Sequence, residues 1–214
     1  MRVVGIIAEY DPFHNGHAYH LKKAVEMTGA QAAEAVLRYN GVSGVRIEYV
    51  SGKLTDHFDP RSNVIRLSSA VYSSTSVASI GVAAHEAGHA VQYAIGYAPI
   101  KLRAAIIPLT QFGSMAAMPL LILGLILNTS TLVTIGIAAF GLSTLFQLVT
   151  LPVEFNASAR AVRLLDSTGI LRGEEVGYTK QVLGAAALTY VAAAAGSILQ
   201  LLRLIILFGG RRDD

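Results

Sequence analysis

Three long stretches of this chain carry almost no charge, and that limits its possible folds more than any other feature. They run from about 104 to 127, 131 to 151 and 182 to 208. Crossing the hydrocarbon core of a bilayer takes about 20 consecutive apolar helical residues. Each stretch is that long, and none contains Asp, Glu or Lys. Pro108, Gln111 and Pro119 predict a kink in the first. Arg203 lies near the end of the third, where its side chain can reach the headgroups. The link Asn128-Thr129-Ser130 leaves room only for a tight hairpin between the first two. Three buried helices of a soluble protein are the competing reading, but a soluble core rarely needs so unbroken an apolar run as 104–151. The third stretch carries the weakest signal, because Ala185 to Ala195 is mostly alanine.

The composition agrees with a membrane chain. Charged residues make up 14% of the 214, against about 25% in an ordinary soluble domain. The polar parts are 1–103 and roughly 152–181. Lys101 and Arg103 precede the first span, Arg160, Arg163 and Arg172 follow the second, and the hairpin link is uncharged. Basic residues flank membrane helices on the cytoplasmic side, so both polar parts are expected in the cytoplasm. Arg211 and Arg212 run against this if the third span crosses fully, although Asp213 and Asp214 follow them. A net charge of +3 is too small and scattered to argue for nucleic acid. The absence of cysteine excludes disulfides and thiolate metal sites. Arg2 is followed by only five apolar residues before Glu9, which is not the order of a secretory signal peptide.

Ahead of the spans, Val45 to Val50 alternates and reads as a strand, as does Val64 to Leu67, with a turn at Asp59-Pro60-Arg61-Ser62 between them. Ser73 to Ser76 offer caps for a helix from about Thr75 to Ile95, ended by Gly96 and Pro99. That helix contains His85-Glu86-Ala87-Gly88-His89. Residues i and i+4 share a helix face, so two imidazoles converge, and the neighbouring carboxylate can reach a water between them. The flanks Ala83, Ala84, Ala90 and Val91 are apolar, which predicts burial. Buried His and Glu need partners, and a metal satisfies all three. A structural His pair is the alternative. Catalytic zinc usually takes three protein ligands and keeps one position open. His14, His17, His20 and His57 all lie upstream, whereas Glu154 follows the apolar hairpin directly. A carboxylate at a membrane helix end is costly unless it binds metal or pairs, here with Arg103 or Arg160.

From about Gln31 onward the chain resembles the YugP-type neutral zinc metallopeptidases of bacterial membranes. The text that carries this is Leu54-Thr55-Asp56-His57-Phe58-Asp59-Pro60, Gly81 to Ala90, Pro152-Val153-Glu154-Phe155 and Ala186 to Ala195. The arrangement is also similar to the HtpX-like membrane peptidases, where a membrane hairpin separates H-E-x-x-H from a downstream Glu ligand. The resemblance implies His85, His89 and Glu154 as ligands of one Zn2+ per chain, Glu86 as general base, a peptide or protein substrate, and a place in a bacterial inner (plasma) membrane. The expected fold is mainly α, a zincin-like helical metalloprotease with a short β-hairpin and about three transmembrane helices. In the HtpX-like pattern an Asp follows the Glu ligand by four. Here that position is Ser158, so a carboxylate that orients a ligand His has to come from elsewhere, with Asp59 and Asp166 as candidates. His57, Arg160 and Arg163 are candidate oxyanion donors.

Residues 1–30 read differently from 31–214. Val3 to Tyr10 is a predicted strand, followed by Asp11-Pro12-Phe13-His14-Asn15-Gly16-His17 and a helix from about Ala18 to Thr28. This resembles the opening of the H-x-G-H nucleotidyltransferases, the bacterial tRNA cytidine acetate ligases in particular. The resemblance implies a nucleotide-phosphate site at His14, His17 and the helix N-terminus. The further strand–helix units that such a domain needs do not follow. The peptidase resemblance implies an opening membrane helix, and this segment stands in its place, as a gene fusion, a reading-frame error or a chimera would produce. Three readings follow: a membrane zinc endopeptidase, a catalytically inactive chimeric membrane protein, and an H-x-G-H nucleotidyltransferase acting on tRNA.

Overall fold

The structure, a computed structural model, describes residues 27–209. The predicted strand, helix and nucleotide site of residues 1–30, with His14 and His17, thus lie almost wholly outside the described residues, as do Arg211 and Arg212. The described chain runs α1 (Gly29–Tyr39), β1 (Arg46–Val50), β2 (His57–Asp59), β3 (Val64–Ser68), α2 (Ser69–Tyr72), α3 (Val77–Ala94), α4 (Ala98–Ile126), α5 (Ser130–Ser167) and α6 (Glu174–Phe208). It divides into two compact units. One takes the chain up to Tyr97 together with Phe155–Ala186, and the other takes Ala98–Glu154 and the chain from Ala187.

In the first unit, α1 starts at a capping box. Gln31 N–H donates to Thr28 Oγ1 at 3.3 Å, and Thr28 N–H donates to Gln31 Oε1 at 2.9 Å. Its buried face, Ala32, Ala33, Val36 and Leu37, has helical spacing. The sheet order is β1-β3-β2, with β3 central and mostly buried. The expected hairpin is present, and the Asp59-Pro60-Arg61-Ser62 turn closes it. Its first arm, however, is β2, too short to read from alternation, pairing antiparallel with His57 opposite Arg66. The strand expected from Val45 to Val50 joins the other side of β3 in parallel, with Arg46 opposite Val64. Asp59 pins the turn. It accepts from Ser62 Oγ at 2.6 Å, Arg61 N–H at 2.9 Å and Arg66 Nη1 at 3.1 Å. These bonds, Ser62's foremost, hold its carboxyl well below the usual carboxylate range. The core joins α1, β3 and α3 to the polar end of α5 and the start of α6 through Val36, Ile65, Ile80, Val91, Leu165 and Leu171.

The second unit holds the apolar parts of α4, α5 and α6. All three helices are long and apolar enough to cross a membrane. Each extends beyond its predicted stretch: α4 begins at Ala98, α5 runs to Ser167 and α6 begins at Glu174. The α4–α5 link is the predicted tight hairpin. Asn128 takes a left-handed φ of +50° and Thr129 N–H returns to Gly124 O at 2.8 Å. Small residues let these helices approach. A Cβ on Gly124 would lie 2.7 Å from Val133 N, and one on Gly136 would lie 2.8 Å from Leu121 Cγ. The outer surface stays apolar. Phe112, Met115, Ile126 and Ile206 are all more than 70% exposed, as lipid-facing side chains are.

Candidate metal centre

Ser76 caps α3, its hydroxyl accepting from Ser79 N–H at 3.2 Å. The helix is built almost wholly of small and apolar residues, and its middle is buried. Two glycines explain how other helices come so close. A Cβ on Gly81 would lie 2.8 Å from Thr179 Cγ2 of α6. One on Gly88 would lie 3.0 Å from the carbonyl oxygen of Ala157 in α5. The glycine inside H-E-x-x-H therefore sets the approach of the α5 turn that begins at Glu154.

His85, His89 and Glu154 form a group in which one potential ligand atom from each lies within 4.8 Å of the others. His89 and Glu154 are buried and His85 is partly buried. The two imidazoles stand edge to face, with ring centroids 4.7 Å apart. Two ring nitrogens and one carboxylate oxygen, with no thiolate, are a donor set that suits zinc with a position left open. Glu154 also accepts from Arg103 Nη1 at 3.0 Å. Of the two expected cationic partners it is thus Arg103 that reaches Glu154, while Arg160 Nε donates to Asn156 at 2.8 Å.

The histidines have further partners through Nδ1. His85 Nδ1 lies 3.1 Å from Ser158 Oγ, and His89 Nδ1 lies 3.0 Å from Gln92 Oε1. A hydroxyl and an amide thus stand where a carboxylate was expected from Asp59 or Asp166, and Asp59 is committed to its turn. Ser158, in the position taken by Asp in the HtpX-like pattern, is near enough to orient the ring itself. Glu86 is buried beside His85, and its Oε2 accepts the backbone N–H of Phe58 at 3.0 Å. The Phe58 and Tyr93 rings, 5.6 Å apart, pack β2 onto α3. Phe58 lies in a segment that carries the family resemblance, but its role as a backbone donor leaves no trace in residue type. Of the candidate oxyanion donors, His57 is exposed with Nδ1 2.7 Å from Thr55 O, and Arg163 is exposed.

The chain also matches known proteins. A family model described as "Putative neutral zinc metallopeptidase" matches residues 4–209. The chain belongs to this family. It is 46% identical over 187 residues to the "Putative membrane protease YugP" of Bacillus subtilis, covering 87% of this chain and 83% of that protein. A short N-terminal region matches the N-termini of tRNA(Met) cytidine acetate ligases. The ligase of Caldicellulosiruptor saccharolyticus is 58% identical over 40 residues, and that of Leuconostoc mesenteroides 55% over 42. Those matches take in 19% and 20% of this chain but only 10% and 11% of the ligases. The family model also takes in most of residues 1–30. No solved structure matches.

Proposed function

We propose that this chain is a membrane-embedded zinc endopeptidase in which His85, His89 and Glu154 hold one zinc ion and Glu86 is the general base. The observation that carries this is the convergence of the three donor groups within 4.8 Å, one of them returned by a helix about seventy residues downstream. Zinc held there would supply the electrophile that acidifies a water to a pKa of about 7 and polarises a peptide carbonyl. The chain's own residues do the rest. Phe58 N–H fixes one oxygen of Glu86, so the carboxylate keeps its orientation while the other oxygen takes the proton of the attacking water. Glu86 then passes that proton to the departing amine. Ser158 and Gln92 hold the imidazoles in plane toward the shared point, and Arg103 does the same for Glu154.

The three apolar helices place the protein in a bilayer. The cations Lys101 and Arg103, set against an uncharged hairpin link, support a motif-bearing part on the cytoplasmic side of a bacterial plasma membrane. The test combines metal analysis and proteolysis on detergent-purified protein. Wild type should carry one zinc per chain and cleave an unfolded membrane protein. His85→Ala should lose the metal. Glu86→Gln should keep it and lose cleavage by a factor of about 10²–10⁴. Full cleavage by Glu86→Gln would remove the base assignment. A zinc-loaded wild type that cleaves nothing would favour an inactive protein that keeps the zinc helix as architecture.

A further inference from the structure

Toward their hairpin, α4 and α5 touch closely through Gly113, Gly124 and Gly136. At the open end of the pair they leave a recess of about 460 Å3. It is lined by Ala98, Pro99 and Leu102 of α4 and by Leu148, Val149 and Pro152 of α5. The lining is wholly apolar, and the volume is within the range of ligand pockets. The open ends of the apolar runs 104–127 and 131–151 lie here, so in a bilayer the recess sits where hydrocarbon gives way to headgroups. Ala98, Lys101 and Leu102 share a helix face by their i, i+3, i+4 spacing. The exposed Lys101 therefore stands at the rim. Arg103 is engaged with Glu154 at 3.0 Å, whereas Lys101 has no ion-pair partner among the described residues. No Asp or Glu occurs between 98 and 153 to offset its charge, and the N-terminus of α4 adds a positive end.

An apolar recess in a membrane peptidase could take a substrate side chain or a lipid chain. Helix periodicity decides between them. Each residue turns a helix by about 100°, so Glu154 lies roughly 200° round α5 from Pro152. The recess therefore faces away from the proposed zinc ligand, and a side chain lodged in it would not bring its own peptide bond to that carboxylate. A lipid has the complementary pattern, an apolar chain for the recess and an anionic headgroup for the cation at its rim. We propose that the α4–α5 recess and Lys101 form a site for a glycerophospholipid with a net negative headgroup. Its acyl chain lies against Leu102, Leu148 and Val149, and its phosphate meets the Lys101 ammonium. A zwitterionic lipid fits the recess equally well but brings its own cation to the phosphate, so Lys101 supplies the selectivity. One lysine beside an anionic headgroup is worth about fivefold in affinity, from about 1 kcal/mol. The site rests on the apolar helices lying in a bilayer and is independent of the zinc reading.

The test uses the full chain in micelles of an uncharged detergent, with phosphatidylglycerol that carries a photoreactive group in its acyl chain. Mass spectrometry after irradiation should place the label on residues 98–102 and 148–152. Unlabelled phosphatidylglycerol should displace it about fivefold more effectively than phosphatidylcholine. Lys101→Gln should keep the label in the recess and lose that preference. Leu102→Phe and Val149→Phe, which fill the recess from opposite helices, should each lose the label. The unfolding temperature of each variant in the same micelles separates a filled recess from a misfolded chain, and two variants keep the test open if one fails to fold. Label spread as heavily over Phe112 and Met115, on the exposed apolar surface, would overturn the site, as would a headgroup preference that survives Lys101→Gln. Displacement by an unfolded membrane protein, with no preference between the two lipids, would give the recess to substrate and overturn the lipid proposal.

Discussion

Gly88→Ala is the most direct test of how the site is assembled. The new Cβ would sit 3.0 Å from the Ala157 carbonyl oxygen and 3.4 Å from its Cα, where ordinary contact begins at 3.4 Å. The neighbour is helix backbone, which cannot rotate aside, so α3 and the Ala157 turn must part by about 0.4 Å (3.4 minus 3.0). Two effects on stability oppose each other. Alanine in a helix interior gains about 1 kcal/mol over glycine, and overpacking costs about 1–3 kcal/mol. The net change lies between neutral and roughly 2 kcal/mol destabilising, so the protein should fold. The proposed zinc site is less tolerant, because ligand distances hold to about 0.2 Å and Glu154 is three residues from Ala157 on the same helix. Zinc affinity should fall at least about tenfold, near 1.4 kcal/mol, as read by chelator competition. Gly177→Ala is the control. Its Cβ meets nothing within 4 Å, so it should bind zinc normally and be slightly more stable. Wild-type zinc affinity in Gly88→Ala would refute the claim that this contact sets the ligand spacing.

Two further perturbations probe other parts of the first unit. Ser158→Ala removes the hydroxyl 3.1 Å from His85 Nδ1. It should weaken zinc binding about tenfold with little change in thermal unfolding, and an unchanged affinity would remove Ser158 from the support of that ring. Asp59→Asn tests the turn through pH. The folded carboxyl is held below its ordinary value, so its contribution is fully present above the unfolded pKa of about 3.9 and fades as pH falls toward the folded value. The gap in unfolding temperature between wild type and Asp59→Asn should be steady near neutral pH and shrink below about pH 4. The gap should be modest, because the turn is open to solvent. A gap of constant size down to pH 3 would sink this account.

The sequence made the apolar spans plain because lipid selects for length and lack of charge together. It misplaced their ends for a physical reason. Charge marks where a helix leaves the hydrocarbon, not where the helix stops. α5 continues past Pro152 through Glu154, Arg160 and Asp166, because the proline removes one backbone bond without ending the helix, and Glu174 and Glu175 open α6 where a helix N-terminus favours acidic side chains. Alternation found β1 and β3 but could not say how they pair. That depended on His57-Phe58-Asp59, a segment too short to alternate visibly. At the site, the i, i+4 histidines were legible because helix geometry alone brings them together. Gln92 follows His89 by three, so a local partner was there to be read. Ser158 and Asn156 were not, because their roles exist only once α3 lies against α5.

α5 joins these observations. At about 1.5 Å per residue, its 38 residues reach roughly 57 Å, close to twice the thickness of a bilayer's hydrocarbon core of about 30 Å. About 20 of its residues suffice for crossing. The segment from Glu154 onward carries, within two turns, the proposed third ligand together with Ser158, which meets His85, and Asn156, which meets Gln92. α3 supplies the two histidines and Gln92, which meets His89. A zinc ion at this centre would therefore bind tightly only when this end of α5 is docked on α3, with Gly88 setting how closely they meet. On this reasoning metal affinity measures helix docking, and substitutions at Gly88 and Ser158 should weaken zinc binding without touching a ligand atom.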